Sequence, residues 1–378
     1  MGERRVVERP FSADNGDMSR VVLAMSGGVD SSVAAWLLRE QGHDVVGLFM
    51  RHGQEPPPEC PTGAAAGGRR KQGCCSAADA DDARRVADRL GIPFYAVNFQ
   101  EEFDRIIRYF VAEYTAGRTP NPCVVCNTWL KFGKLLEYAD SIGAGHIATG
   151  HYARLLPTAD GQTALCRGRD AAKDQSYVLW GIPRGLLPRL LFPIGEYDKA
   201  EIRRIADQLG LRHVAEKPDS QEICFVPDQD HARFVRQHRQ LEDTSGEVVT
   251  TAGEVVGRHD GVERFTVGQR RGLGIAFGEP RYVVRIEPQS RRVVVGTHEE
   301  LARRELTAAE ANWLVAAEPS FACQVKIRYR SKPVEADAER LSDERFRVRF
   351  REPCYGVAPG QAAVCYQGDR LLGGGWIE

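Results

Sequence analysis

The residues with the clearest potential for chemistry are cysteines in two short motifs. The chain has ten cysteines; Cys123 and Cys126 lie in residues 119–127, TPNPCVVCN, and Cys224 follows the stretch KPDSQEI. The prolines predict a rigid loop, and Asn127 is placed to cap the helix that follows. A helix N terminus favours a thiolate, so these residue types indicate sulfur or metal chemistry. The alternatives are a structural metal knuckle or buried thiols for the pair, and a core thiol for Cys224.

A second motif, SGGVDSS at residues 26–32, is typical of a phosphate-binding turn between a strand and a helix. Its two glycines let the backbone approach a ligand closely, and the helix N terminus adds N–H donors and a favourable dipole. Ser26, Ser31 and Ser32 supply hydroxyl donors. Asp30 is an acid in a phosphate site and is expected to hold Mg²⁺. The alternative is an ordinary glycine-containing turn capped by Asp30 and Ser31.

Alternating strand and helix patterns between residues 19 and 210 predict the elements that position these motifs. Alternation at this spacing favours βαβ units and a parallel sheet covered on both faces, with a ligand at the carboxyl ends of the strands. Residues 51–72, rich in Pro and Gly, predict a loop, and the sequence assigns no role to it or to Cys60, Cys74 and Cys75. The predicted strands are Arg20–Met25, Asp44–Met50, Phe94–Phe99 and His146–Gly150, and the predicted helices are Asp30–Gln41, Ala77–Leu90 and Asn127–Ala139.

Beyond about residue 222, short β-branched runs separated by turn residues predict a small all-β domain that ends in a barrel. The predicted fold class is therefore α/β, with a parallel-sheet nucleotide-binding domain, a small central domain and a C-terminal β-barrel. The predicted bounds are 1–18 for a disordered extension, 19–222 for the α/β domain, 223–283 for the central domain and 284–378 for the barrel.

The composition is that of a globular protein without a bulk charge that would attract nucleic acid. The chain has 51 Lys and Arg against 52 Asp and Glu, a formal net charge of −1, so RNA binding requires a local basic face. The sequence has no apolar run long enough for a membrane span and no secretory or transit signal, so a cytoplasmic location is expected. Eight alternating basic residues are predicted to share one such face: Lys326, Arg328, Arg330, Lys332, Arg345, Arg347, Arg349 and Arg351.

The loop at residues 26–32 resembles the SGGxDS signature of PP-loop ATP pyrophosphatases, which split ATP between its α- and β-phosphates. The loop lacks the lysine of a Walker motif, which argues against γ-phosphoryl transfer. With the cysteine motifs the resemblance becomes specific, because from about Arg20 to Glu378 the chain is similar to bacterial-type tRNA-specific 2-thiouridylases. The supporting segments are 24–32, GLFM at 47–50, GRTPNP at 117–122, CN at 126–127, ATGHYA at 148–153, KDQSY at 173–177, DSQEICF at 219–225, TVGQRRGLG at 266–274, RYR at 328–330, PGQ at 359–361 and LGGGWI at 372–377.

This resemblance implies ATP-dependent 2-thiolation of the wobble uridine in tRNAs for Lys, Glu and Gln. Adenylating the C2 oxygen makes AMP a leaving group, a sulfur nucleophile attacks C2, and AMP and pyrophosphate are released. Asp30 acts with ATP and Mg²⁺, Cys126 is the implied nucleophile, and Cys224 receives sulfur from a persulfide or sulfide donor protein. The implied ATP-binding residues are Ala24, Met25, Ser26, Gly27, Gly28, Val29, Asp30, Ser31, Met50 and Gly150. The implied tRNA contacts are Asn121, Pro122, Cys123, His151, Lys173, Asp174, Gln175, Arg328, Tyr329 and Gln361.

One position departs from the family pattern, since many members have aspartate where this chain has Cys123. Cys123, Cys126 and Cys224 could therefore ligate three irons of a [4Fe–4S] cluster, which leaves the fourth iron open for sulfide. The rival route passes the persulfide of Cys224 onward and ends in a disulfide between Cys126 and Cys224. In a variant of that route, the persulfide attacks C2 directly. The sequence leaves the cluster and disulfide routes open.

Two other classes of function also fit parts of the sequence. Another PP-loop enzyme, such as a lysidine synthetase or an amide-forming ligase, does not need paired cysteines, so dependence of activity on Cys126 and Cys224 separates it. A metal- or RNA-binding protein with a vestigial loop would release no pyrophosphate from ATP in the presence of tRNA.

Overall fold

The computed structural model of the chain describes residues 18–52, 77–217, 223–226, 228, 230–239, 243–275, 277–316 and 318–378. The predicted N-terminal extension lies outside the described residues except for Met18. Most of the loop at 51–72 and Cys60, Cys74 and Cys75 also lie outside them. In the described part, no helix is both long and apolar enough to cross a membrane.

Seven strands belong to the N-terminal part of the chain: β1 (Arg20–Ala24), β2 (Asp44–Arg51), β3 (Phe94–Asn98), β4 (His146–Thr149), β5 (Ala153–Pro157), β6 (Thr163–Arg167) and β7 (Leu190–Leu191). Five of them form a sheet in the order β3-β2-β1-β4-β7, and every pair in it is parallel. Val21, Val22 and Leu23 on the central strand are completely buried, as expected for a sheet covered on both faces. The predicted parallel α/β fold is confirmed.

Helices cover both faces of this sheet, so alternate residues of β1 pack in two different cores. Val22 packs with the helix Gln100–Thr115, whereas Val21 and Leu23 pack with the helices Val29–Glu40, Ala77–Leu90 and Lys199–Gln208. The helices are α1 (Val29–Glu40), α2 (Ala77–Leu90), α3 (Gln100–Thr115), α4 (Pro122–Val125), α5 (Leu135–Ser141), α6 (Lys199–Gln208), α7 (Arg212–Ala215) and α8 (His231–His238). A π-helix spans Cys126–Lys134, and 3-10 turns span Ser176–Leu179, Arg184–Arg189, Val262–Arg264 and Glu299–Leu301.

The central part contains a small four-stranded sheet in the order β10-β11-β8-β9, formed by β8 (Gly246–Thr250), β9 (Val255–His259), β10 (Tyr282–Glu287) and β11 (Arg292–Gly296). Val248, Val283, Val293 and Val295 are buried in its core. Since β11 pairs with both β10 and β8, we propose that the boundary between the central domain and the barrel lies after Gly296.

A closed barrel forms the C-terminal part, as predicted. Its strands are β12 (Ala302–Trp313), β13 (Ser320–Lys326), β14 (Val334–Arg340), β15 (Arg345–Tyr355), β16 (Ala362–Gln367) and β17 (Arg370–Ile377). They follow the order β12-β15-β14-β13-β16-β17, and pairing of β12 with β17 closes the ring. The hairpin β5–β6 joins the same sheet beside β17, where Cys166 lies opposite Arg370.

The prediction that eight basic residues share one exposed face is wrong for some of them. Lys326 is only 9% exposed, with its ammonium 5.8 Å from the ring centroid of Tyr177. The four arginines of β15 do alternate with buried residues, but each lies within ion-pair distance of a carboxylate on a neighbouring strand or at the C terminus. Their charge is therefore largely compensated, because the neighbouring strand β14 supplies Asp337 and Glu339.

Candidate active site

The turn between β1 and α1 is closely packed and is stabilised by its own side chains. Gly27 has φ +71°, and a Cβ there would overlap the backbone of Asp79 at the start of α2. The Ser31 hydroxyl accepts from the Ser26 N–H at 3.1 Å, and the Ser32 hydroxyl donates to the Gly28 carbonyl at 2.8 Å. Within the described residues, no side chain caps the N terminus of α1, so its end is suited to an anion.

The other residues predicted to bind ATP surround this turn. Met25 and Val29 are buried, and Met50 at the end of β2 packs against the neighbouring core. Gly150 comes directly after β4 and lies against the start of α1. A Cβ at Gly150 would lie 2.9 Å from the Ser31 nitrogen. The fold thus brings these positions together at the carboxyl ends of β1, β2 and β4, where a ligand is expected.

Asp30 lies in an ion pair that the sequence did not predict. Its carboxylate accepts two contacts of 2.8 Å from the Lys199 ammonium and one of 2.8 Å from the Tyr152 hydroxyl. Lys199 is the first residue of α6, whose N terminus is fixed by a capping box between Asp198 and Glu201. An ionised carboxylate offers about four lone-pair positions. Asp30 therefore retains capacity for a cation, and its oxygens suit the preference of Mg²⁺.

Lys217 is a second lysine that contacts the phosphate-binding turn. Its ammonium donates to the Gly27 carbonyl at 3.1 Å and lies 2.9 Å from Asp79 and 2.5 Å from Asp82. Burial alone would lower the pKa of Lys217, but hydrogen bonds to Asp82 and Asp79 hold that pKa above its ordinary value. The turn lacks a lysine of its own, and the fold places the charged groups of Lys199 and Lys217 beside it.

The Cys123–Cys126 motif begins a helix, but not with the cap that the sequence suggested. Asn121 is the capping residue, since its side chain accepts from the Val124 N–H at 3.4 Å. The prediction that Asn127 caps the helix is wrong, because Asn127 is buried in the π-helix and donates to the Val178 carbonyl at 3.1 Å. Cys123 is exposed, whereas Cys126 is half-buried at the start of the π-helix, a geometry frequent at functional sites.

Cys224 lies near the same part of the molecule, because the next residue, Phe225, packs against α3. The Phe225 ring packs edge-on against Phe103 and Phe110 of α3, at centroid distances of 5.6 and 5.2 Å. Cys126 and Cys224 both pack against the hydrophobic core that contains these rings. The fold therefore gathers both predicted sulfur residues on the face of the sheet covered by α3 and the π-helix.

Cys123, Cys126 and Cys224 are also the residues expected to ligate an iron–sulfur cluster. The described residues include Cys123, Cys126 and Cys224, and among them no three His, Cys, Asp or Glu side chains are placed to hold one metal ion. All three cysteines are thiols in this structure. In a [4Fe–4S] cluster each cysteine binds a different iron, so this finding does not test the cluster, which stays a prediction.

Several residues predicted to contact tRNA lie inside the protein. His151 is 6% exposed, its Nδ1 lies 2.6 Å from the Thr149 hydroxyl, and burial lowers its pKa well below the ordinary value. Asp174 is 8% exposed and accepts from the Gly168 and Ser176 N–H groups. Direct contact of these two with RNA stays a prediction, whereas in this structure Asp174 holds neighbouring backbone in place and His151 is hydrogen-bonded to the Thr149 hydroxyl.

Three other predicted contacts, Tyr329, Arg328 and Gln175, are less buried. Tyr329 is 36% exposed, and partial burial of its hydroxyl, followed by the negative charges of Asp174 and Cys123, raises its pKa. Arg328 donates to the Val267 carbonyl at 2.5 Å and the Gly356 carbonyl at 3.1 Å. Gln175 accepts from the Tyr152 N–H at 2.9 Å. An aromatic ring beside an exposed thiol is suited to stacking with a displaced base.

The parallel sheet and its phosphate-binding turn define a nucleotide-binding α/β protein of the HUP class. The small central sheet and the C-terminal barrel are two β domains appended to it. Residues 19–228 match a family model described as a tRNA methyl transferase HUP domain. Residues 232–297 match a tRNA methyl transferase PRC-barrel domain, and residues 303–377 match an aminomethyltransferase β-barrel domain.

Full-length relatives specify the family. The chain is 51% identical to the tRNA-specific 2-thiouridylase MnmA of Rhodopirellula baltica, over 95% of this chain and 96% of that protein. It is 50% identical to the MnmA of Geobacter metallireducens, over 95% and 96%, and 48% identical to that of Acidithiobacillus ferrooxidans, over 95% and 98%. The domain descriptions mention methyl transfer, but the relatives that align along nearly the whole chain are thiouridylases. The chain belongs to the tRNA-specific 2-thiouridylase family.

Proposed function

We propose that this protein catalyses ATP-dependent 2-thiolation of the wobble uridine of tRNAs for Lys, Glu and Gln, releasing AMP and pyrophosphate. The observation that supports this function best is the joint placement of an SGGVDSS phosphate turn and two cysteines by one parallel sheet. The turn can bind ATP, and the cysteines can deliver sulfur. A Mg²⁺ ion held by Asp30 would neutralise charge on the phosphates. A cytoplasmic location is compatible with a tRNA substrate and stays a prediction.

The chemistry explains why both halves of the site are needed. The C2 oxygen of uracil is a very poor leaving group, so it first attacks the α-phosphate of ATP and displaces pyrophosphate. The turn binds the phosphates, and the ammonium groups of Lys199 and Lys217 lie where they can offset the charge on the departing pyrophosphate. AMP then leaves when sulfur attacks C2.

The sulfur step balances with thiol chemistry alone. A persulfide donor protein transfers its outer sulfur to Cys224, and that sulfur must gain two electrons to end as the thiocarbonyl. Attack by the Cys126 thiolate supplies them and leaves a Cys126–Cys224 disulfide, which an external thiol reduces before the next turnover. Direct attack of the persulfide on C2, followed by attack of Cys126, ends in the same disulfide. We favour this route because it needs only Cys126 and Cys224, which pack against the same hydrophobic core.

The function is tested by incubating unmodified tRNA with the protein, MgATP and a persulfide source, followed by mass spectrometry of the tRNA nucleosides. We expect 2-thiouridine only in tRNAs with a wobble uridine, and only when ATP is present. A tRNA with cytidine at the wobble position is the matched control. Formation of AMP with a different modified nucleoside would indicate another PP-loop reaction, and absence of both would refute the proposal.

The Cys123→Ser variant separates the thiol route from the cluster route. Cys123 is exposed and is a bystander in the thiol route, so we expect thiolation within about threefold of wild type, less than roughly 0.7 kcal/mol in the barrier. The measurement uses anaerobically purified protein, with iron content and visible absorption recorded beside the thiolation rate. Loss of activity together with loss of bound iron would contradict the thiol route and support the cluster.

A further inference from the structure

We propose that Gln361 of the C-terminal barrel is a positioning residue, which fixes the loop that leads to Cys123 and Cys126. The barrel would then shape the site of sulfur transfer as well as contact RNA. This inference rests on the proposed function, and it assigns Gln361 a different main role from the direct RNA contact expected from the sequence.

The side chain of Gln361 is directed at the loop. Its amide nitrogen donates to the Thr119 carbonyl at 3.0 Å and to the Pro120 carbonyl at 3.2 Å. A primary amide has two N–H donors, so both are used in these two bonds. The backbone of Gln361 is itself held in the barrel, since its N–H donates to the Ala358 carbonyl and its carbonyl accepts from the Ile377 N–H at 2.7 Å.

The loop requires such donors because of its prolines. Pro120 and Pro122 have no N–H, so the segment cannot pair as a regular strand, and its carbonyls need partners from elsewhere. The barrel supplies a further bond, from the Thr119 N–H to the Pro359 carbonyl at 2.8 Å. Gly360 has φ +85°, and a Cβ there would lie 3.0 Å from the Arg118 Cβ, so the two backbones are in close contact.

A second connection runs from the next barrel residue to the same loop. The Tyr177 hydroxyl donates to the Ala362 carbonyl at 3.0 Å and also forms a hydrogen bond with the Asn121 side chain. Asn121 in turn caps α4 through the Val124 N–H. The helix that holds Cys123 and leads into Cys126 is therefore tied to the start of β16 at both Thr119 and Asn121.

This geometry distinguishes positioning from RNA recognition. If Gln361 mainly binds RNA, its loss weakens tRNA binding and leaves turnover of the bound complex intact. If it positions the loop, its loss displaces the reacting thiol relative to the adenylated base, and a misplacement of about 1 Å can reduce the rate by about 100-fold. The loop would be affected even without RNA.

The test compares Gln361→Met, which keeps the length but removes both donors, with Gln361→Glu, which places a carboxylate against two carbonyls. Gln367→Met, at the exposed end of β16, the strand that follows Gln361, is the matched control. We expect kcat for thiolation to fall about 10- to 100-fold in both Gln361 variants, with KM for tRNA within about twofold of wild type. We also expect the alkylation rate of the Cys126 thiol, measured without tRNA, to change severalfold.

An unchanged kcat with a KM for tRNA raised about tenfold or more would overturn the proposal, as would an unaltered Cys126 alkylation rate. Thermal unfolding and ATP binding verify that the variants are folded. If Gln361 variants fail to fold, Tyr177→Phe removes the second connection while keeping the ring, and the same fall in kcat is expected from it. Should wild-type protein form no 2-thiouridine, the proposed function fails, but the alkylation readout still tests the loop.

Discussion

Cys126→Ser and Cys224→Ser are each expected to reduce the rate of 2-thiouridine formation more than about 1000-fold, while AMP formation with tRNA remains measurable. A hydroxyl cannot hold a persulfide, and it is a far weaker nucleophile than a thiolate near pH 7. The adenylation site should survive, because Met25 and Val29, on either side of the phosphate turn, pack in a different core from the one that contacts Cys126 and Cys224. Nucleoside mass spectrometry measures the product, and AMP release is followed in the same samples.

The two variants should differ in where sulfur accumulates. Cys126→Ser should retain one extra sulfur atom on Cys224 after exposure to the donor, visible by intact-protein mass spectrometry, whereas Cys224→Ser should not. Cys166→Ser is the matched control, because Cys166 is buried on β6 and burial raises the pKa of its thiol. Thiolation by Cys126→Ser at a rate similar to wild type would refute the assignment of the nucleophile.

Local patterns predicted the parts of the fold that depend on neighbouring residues. The strand Arg20–Ala24, the glycine turn and the helix Val29–Glu40 are contiguous, and the serine hydrogen bonds within the turn span five residues or fewer. The helix Ala77–Leu90 has the bounds that its amphipathic spacing predicted. The barrel was predicted in the same way, from short strands with alternating burial, of which β15 is a clear case.

Contacts between distant residues could not be read from the sequence. Lys199 lies 169 residues from Asp30, and Lys217 lies 190 residues from Gly27, so no spacing rule connects them. The capping role moved from Asn127 to Asn121 because the chain continues as a π-helix, in which Asn127 is directed at Val178. The burial of Lys326 depends on the closure of the barrel, which a strand pattern alone does not specify.

Asp30→Ala is expected to abolish AMP formation while tRNA binding survives. Asp30 lies in the phosphate turn, where it is proposed to hold Mg²⁺ against the nucleotide, and tRNA is expected to bind around Cys123 and the barrel. Removing the carboxylate also leaves the Lys199 ammonium, whose side chain is 12% exposed, without that partner. The free energy of unfolding should therefore fall by about 1–3 kcal/mol. AMP release, tRNA binding by filter retention and thermal unfolding are measured on the same preparation.

Lys199→Met separates the metal role of Asp30 from a purely structural ion pair. If Asp30 serves only to hold Lys199 and α6, both variants should lose AMP formation to the same extent. If Asp30 acts through the cation, Lys199→Met keeps the carboxylate available and should retain more AMP formation than Asp30→Ala, lowered only by loss of the Lys199 charge, with half-maximal rate at no higher Mg²⁺ concentration than wild type. Loss of tRNA binding with intact ATP cleavage in Asp30→Ala would contradict its assignment to the nucleotide, because the hydrogen bonds described for Asp30 join it to Tyr152 and Lys199, outside the Cys123 loop.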